Sequence, residues 1–306
     1  MKDDYLYDGT GPPDPEVAGL EQLLGGLRYT GNPPEMPASK PDSPANDRRW
    51  FAAAAAAMAL IGLASWSVPQ APPAGPSWSC GADCELFVGQ WLETGADTTT
   101  VEVADIGDLE VSPWSRLRLL NTSETEHRVQ LDKGHIHASV YAPPRLLIVE
   151  TPSATAVDLG CEYDLTVAED GSGELVVISG WVALELPDHV ATVPAGAKAL
   201  TRPGFGPGTP FFTDASPELE AALVRFDFEG RDVADLQIAI AASRPRDTLS
   251  LFHLVPRAAP EDRLLLLARM KELAPWVAWQ YVDDDAVSAL DPEATALLFD
   301  LITTAF

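Results

Sequence analysis

The sequence predicts a mainly β domain followed by a small α-helical domain, with one transmembrane helix ahead of both. Three observations predict it. Apolar residues recur at every second position from Leu86 to about Leu200, helical spacing takes over after residue 213, and an uncharged stretch runs from Trp50 to Val68. The expected boundaries are 1–49 for an N-terminal tail, 50–68 for the membrane helix, 69–79 for a Pro-rich linker, 80–212 for the strands and 213–306 for the helices.

The tail holds one short amphipathic stretch. Asp14 can cap it, Pro15 and Glu16 suit a first turn, and Val17, Leu20, Leu23, Leu24 and Leu27 share one face before Gly25, Gly26 and Gly31 loosen the chain. So short a segment cannot bury a core of its own, so the apolar face calls for a partner, either a cytoplasmic protein or a second copy. The alternative is a loosely ordered tail. Residues 30–47 then form a Pro-rich tether.

Trp50 to Val68 carries neither charge nor proline, and at ~1.5 Å per residue it reaches about 28 Å, close to the thickness of a bilayer's hydrocarbon core. Trp50 and Trp66 fall near its ends, where indole rings favour the headgroup boundary, and Arg48 and Arg49 precede it directly. The next basic residue downstream is Arg116. That asymmetry orients the helix with residues 1–49 in the cytoplasm and everything after Val68 outside. An Ala-rich core helix is the competing reading, but such a helix would show a polar face. The linker "PQAPPAGPS", at ~3 Å per residue when extended, lifts the next domain off the lipid.

In the strand region the period-two pairs are Val101 and Val103, Leu117 and Leu119, Val129 and Leu131, Ile136 with Ala138 and Val140, Leu147 and Val149, Tyr163 with Leu165 and Val167, Val176 and Ile178, and Val182 with Leu184 and Leu186. Turn signals fall at "GD" 107, "DKG" 132, "EDGSGE" 169 and "SG" 179. Many short strands without intervening helices predict an antiparallel sandwich, a roll or a solenoid. After them, "SPELEAALVRFDF", "RDVADLQIAIAAS", "RDTLSLFHLV", "PEDRLLLLARMKELA" and "DPEATALLFDLIT" have helical spacing, mostly opened by Ser, Asp or Pro-Glu. Short helices with brief connections pack as antiparallel pairs, here expected to dock on the strands.

A formal charge of −26 repels phosphate backbones, which excludes nucleic acid as a direct ligand. The three cysteines make no zinc spacing. Cys80 and Cys84 in "WSCGADCEL" either form a disulfide in an oxidising compartment or remain two thiols. Cys161 has no cationic neighbour in sequence and reads as a small buried hydrophobe.

No nucleophile elbow, phosphate loop, dinucleotide fingerprint, zinc-protease motif or calcium loop is present, so no catalytic residue, cofactor or metal ligand is assigned. "GFGPG" at 204 places a proline where a phosphate cradle needs amide donors, and reads as a plain loop. His135 and His137 project from one face of a strand and could chelate a metal, but lack an adjacent third ligand; an outward polar face is the simpler reading. His127, His189 and His253 are scattered and read as structural. Asp283, Asp284 and Asp285 suit a solvated helix start better than a cation site. Asp158 and Asp164 alternate with apolar neighbours on strands, without an evident nucleophile.

At "LLIVETPSATAVDLGCEYDLTV" and "GSGELVVISGWVALEL" the chain resembles the FecR domain of bacterial envelope signalling proteins. The matching parts are Val149-Glu150-Thr151-Pro152, Ala156-Val157-Asp158-Leu159-Gly160, Tyr163, the turn around Gly171 and Gly173, and Gly180-Trp181-Val182, with "SRLRLL" at 115 and "LDKGHIHASV" at 131 resembling the preceding strands. The likeness spans roughly 86–200. It implies a periplasmic sensing domain, a single membrane pass and a cytoplasmic segment that holds a sigma factor, in the manner of an anti-sigma factor. Three departures stand out: Cys161 replaces a frequent Thr, the inner segment is shorter than a usual sigma-binding domain, and the C-terminal helices differ from the small β/α domain of the iron-siderophore regulators. The alternative is a membrane-anchored scaffold or binding module that meets an envelope protein or ligand and regulates no sigma factor. An enzyme would need a constellation of reactive groups that the sequence does not display.

Overall fold

Alternating buried and exposed side chains build sixteen strands in the computed structural model, which describes residues 77–81, 84–187 and 189–304. In chain order they are β1 (Ser77–Ser79), β2 (Glu85–Phe87), β3 (Trp91–Glu93), β4 (Thr99–Val103), β5 (Gly107–Val111), β6 (Arg116–Thr122), β7 (His127–Val140) and β8 (Leu147–Glu150). Then come β9 (Thr155–Asp158), β10 (Glu162–Val167), β11 (Gly173–Ser179), β12 (Trp181–Leu186), β13 (His189–Pro194), β14 (Ala197–Arg202), β15 (Gly206–Pro207) and β16 (Phe211–Phe212). The tail with Val17, Leu20, Leu23, Leu24 and Leu27, the segment Trp50 to Val68 and most of the linker lie outside the described residues. Among the described residues no helix is long and apolar enough to cross a membrane.

The strand β7 organises the β region. Its first half pairs with β6 and, in parallel, with β8; its second half pairs antiparallel with β5 and β10. It therefore belongs to two sheets, one running β3-β6-β7-β8-β9-β12-β13 and the other β2-β1-β4-β5-β7-β10-β11-β14, with β15 and β16 on β14. The turn expected at "DKG" is a correction, because β7 runs unbroken through Asp132, Lys133 and Gly134. A glycine after two polar residues signals a bend as readily as a turn, and here Gly134, at φ +102, redirects the strand between sheets. "GD" at 107 likewise opens β5, and the turn lies just before it at residues 104–106.

Both sheets contribute to one core, from Val101 and Leu109 on one side to Leu131, Val149 and Leu184 on the other. In "LVVI" the parity differs from expectation: Leu175 and Val177 are buried, while Val176 is half-buried and Ile178 is exposed. Four consecutive apolar residues fit either face, so periodicity alone cannot choose. The β region also begins earlier than residue 80, since Ser77–Ser79 pairs with β2 and Trp78 is buried with its Nε1 donating to Thr122 Oγ1 at 3.0 Å.

The C-terminal helices are α1 (Pro217–Phe228), α2 (Val233–Ala242), α3 (Thr248–Leu254), α4 (Pro260–Leu273), α5 (Asp284–Ser288) and α6 (Pro292–Thr303). Ser216, Asp232, Asp283 and Asp291 cap α1, α2, α5 and α6 by accepting from the first free amides. Short α5 begins at the aspartate run that the sequence reads as a helix start. Leu219, Leu223, Phe226, Leu254, Leu266, Met270 and Leu298 form a second core that also takes in Phe211 of β16, so the last strand belongs to both layers. Ser250 Oγ donates to Pro210 O at 2.7 Å, and Lys198 on β14 pairs with Glu220 on α1 at 3.0 Å.

Candidate functional site

The second half of β7 buries Ile136, Ala138 and Val140, which leaves His135 and His137 on the opposite face. Asp164, across from His137 on β10, serves both rings: its Oδ1 lies 3.0 Å from His137 Nδ1 and 3.2 Å from His135 Nε2. Ser112 Oγ sits 2.8 Å from His135 Nδ1, and Glu162 Oε1 lies 3.4 Å from His137 Nε2. The sequence named both histidines and Asp164 but not their convergence, which depends on the register between β7 and β10. Among the described residues no group of three or more His, Cys, Asp or Glu side chains is arranged to hold a metal ion. The cluster is a half-buried, hydrogen-bonded polar face.

Asp158 and Cys161 meet behind the sheet instead. Asp158 accepts from the Cys161 thiol and from Gly160 N at 3.0 Å. Both side chains are buried. Burial pushes the Asp158 carboxyl above its usual range, and burial followed by the neighbouring carboxylate pushes the Cys161 thiol up. A thiol so placed is not a nucleophile at neutral pH. Cys80 and Cys84 are joined by a disulfide with 4.9 Å between their Cα atoms, closing the β1–β2 turn. Asp283 caps α5, Asp284 pairs with Lys271, and in "GFGPG" Gly204 and Phe205 lie in the turn after β14 while Gly206 and Pro207 form β15. His127 is buried with Nδ1 2.7 Å from Thr122 Oγ1.

A second polar centre joins residues far apart in sequence. Arg257, which ends a short 3-10 turn after α3, pairs with Asp227 on α1 and donates to Pro207 O, with His189 of β13 beside it. Asp227 also accepts from Thr209 N at 2.6 Å and Thr209 Oγ1 at 3.1 Å. His253 lies behind, where burial first and the charge of Arg257 second push its pKa down to about 3. Sequence spacing could not reveal this centre, because β13, α1 and α3 meet only in the folded chain.

Residues 91–183, from β3 into β12, match the family model described as FecR protein. The matched stretch falls within residues 86–200, over which the motifs resemble a FecR domain. No curated protein matches the sequence. Two crystal structures of a candidate anti-sigma factor from Parabacteroides distasonis ATCC 8503 are similar, each at 15% identity and a TM-score of 0.35. Each match covers 44% of this chain and 65% or 64% of the other, so the chain spans just under two thirds of those neighbours. A likeness at that score carries no further argument.

Proposed function

We propose that the chain is a single-pass regulator of the inner membrane. Its FecR domain and helices stand outside the cytoplasm, and residues 1–49 hold a cytoplasmic sigma factor through Val17, Leu20, Leu23, Leu24 and Leu27. The observation that carries this reading is the FecR match at residues 91–183. The uncharged Trp50 to Val68 behind Arg48 and Arg49 supports the topology, and the orphan apolar face of the tail supports a protein partner. An acidic surface with hydrogen-bonded polar clusters suits contact with an envelope protein better than bond-breaking chemistry, which makes the reading regulatory rather than enzymatic.

Co-purification tests it. Full-length chain, extracted in detergent from its own host, should retain a sigma factor, and the double variant Leu20→Asp, Leu24→Asp should lose it while staying in the membrane fraction. Recovery of no sigma factor with the unaltered chain, or equal recovery with the double variant, contradicts the proposal and leaves the scaffold reading.

A further inference from the structure

In a chain with a formal charge of −26, Arg231 and Arg257 both line one cavity, together with Asp227. It lies between the β14–β15 turn and the helices, measures about 420 Å³, and has Leu186, Phe205, Phe228 and Pro256 as apolar walls with Arg231 and Arg257 among its polar ones. The Arg257 side chain is only 9% exposed, and its Nε is buried with no hydrogen-bond partner. Its one carboxylate, Asp227, is shared with two donors of Thr209. With Asp227 shared in this way, the positive charge of Arg257 at the cavity wall is only partly offset, which favours an anion there.

Arg231 in the wall and Arg202 beside it add to the field. Arg231 follows Gly230 in the left-handed region at φ 57, held by its amide donating to Phe226 O at 3.2 Å, and among the described residues it has no ion-pair partner. Arg202 lies over the Phe228 ring, 4.6 Å from the centroid, and likewise has no ion-pair partner among the described residues. Phe205, 59% exposed, meets Phe228 edge-on at 6.0 Å between centroids, leaving an aromatic ring in water that a flat apolar body would cover. Apolar walls with a few convergent polar groups are the usual make-up of a small-molecule site.

We propose that this cavity binds a small organic carboxylate with a flat apolar body, the carboxylate held by Arg231 and Arg257 and the body set against Phe205 and Phe228. Such a ligand would tie the FecR region's trailing strands to the helices, and its binding requires neither the membrane topology nor the sigma factor. The test uses the full-length chain with benzoate, with benzamide as its uncharged counterpart, and with N-acetylphenylalanine as a mimic of a peptide's carboxyl end, by calorimetry and thermal unfolding. Benzoate should bind and raise the unfolding temperature where benzamide does not. Arg231→Gln should unfold at the wild-type temperature without ligand, because the Arg231 side chain holds nothing in place, yet bind benzoate at least tenfold more weakly. Tighter binding of N-acetylphenylalanine than of benzoate would identify the carboxylate as a peptide terminus; the reverse order would identify a free acid. No binding of either carboxylate at millimolar concentration, equal binding of benzoate and benzamide, or full benzoate affinity in Arg231→Gln overturns the proposal.

Discussion

Gly134 leaves no room for a side chain against Ser115. Its φ is +102, and a Cβ built on it would overlap both the backbone and the side chain of Ser115, which itself holds the amide of His135 through Oγ at 3.0 Å. This is the point at which β7 passes from one sheet to the other, so the bend and the close approach are one feature. Gly134→Ala should cost about 3 kcal/mol, from the unfavourable φ together with overpacking. Urea unfolding of the full chain measures it, and a loss below ~0.5 kcal/mol would mean that the two strands part easily there.

His253 should make stability depend on pH in mildly acidic solution. Its unfolded value is 6.5 and its folded value about 3, so between those limits the unfolded chain binds a proton that the folded chain refuses. The contribution is therefore complete above pH 6.5 and is lost as pH falls through the window, by up to ~1.4 kcal/mol per pH unit. Asp158, raised by burial, acts in the opposite sense: its contribution is present at low pH and lost as pH rises through its folded value. That part is common to wild type and His253→Gln, so the difference between their stability curves isolates His253. The variant should show the shallower decline from pH 6.5 down to 4; parallel curves would show that the imidazole is already solvated in the fold.

Cys161 should resist alkylation in the native protein. It is the free cysteine among the described residues, and it is buried against Asp158. Iodoacetamide at pH 8 should leave it unmodified for hours and label it promptly in guanidinium without reductant, with Cys80 and Cys84 labelled only after reduction. Prompt labelling of the folded protein would show that the Asp158 pocket opens to solvent.

Much of the fold was legible in the sequence, and the failures have physical causes. Ser216, Asp232 and Asp291 are local signals whose capping bonds span two or three residues, so the helix starts of α1, α2 and α6 could be placed directly. Val101, Leu117 and Leu165 alternate with polar neighbours and report their buried face for the same local reason. The continuity of β7 could not be read, because a Lys-Gly pair inside a strand looks the same as one that ends it. The burial of Leu175 and Val177 was hidden by an apolar run without alternation. His135 and His137 were visible as a pair, whereas their shared partner Asp164 follows from strand register. Arg257, Asp227, Arg231 and His189 come from separate elements, and each alone looks like an ordinary surface or core residue.

The topology is tested most directly by protease treatment of spheroplasts that carry the full chain with a tag after Phe306. External protease should remove the tag while residues 1–49 stay intact, and the protein should sediment with the membranes. A tag that remains protected in intact spheroplasts and is cut only after lysis, or a chain recovered in the soluble fraction, would contradict a membrane-spanning regulator with its FecR domain outside.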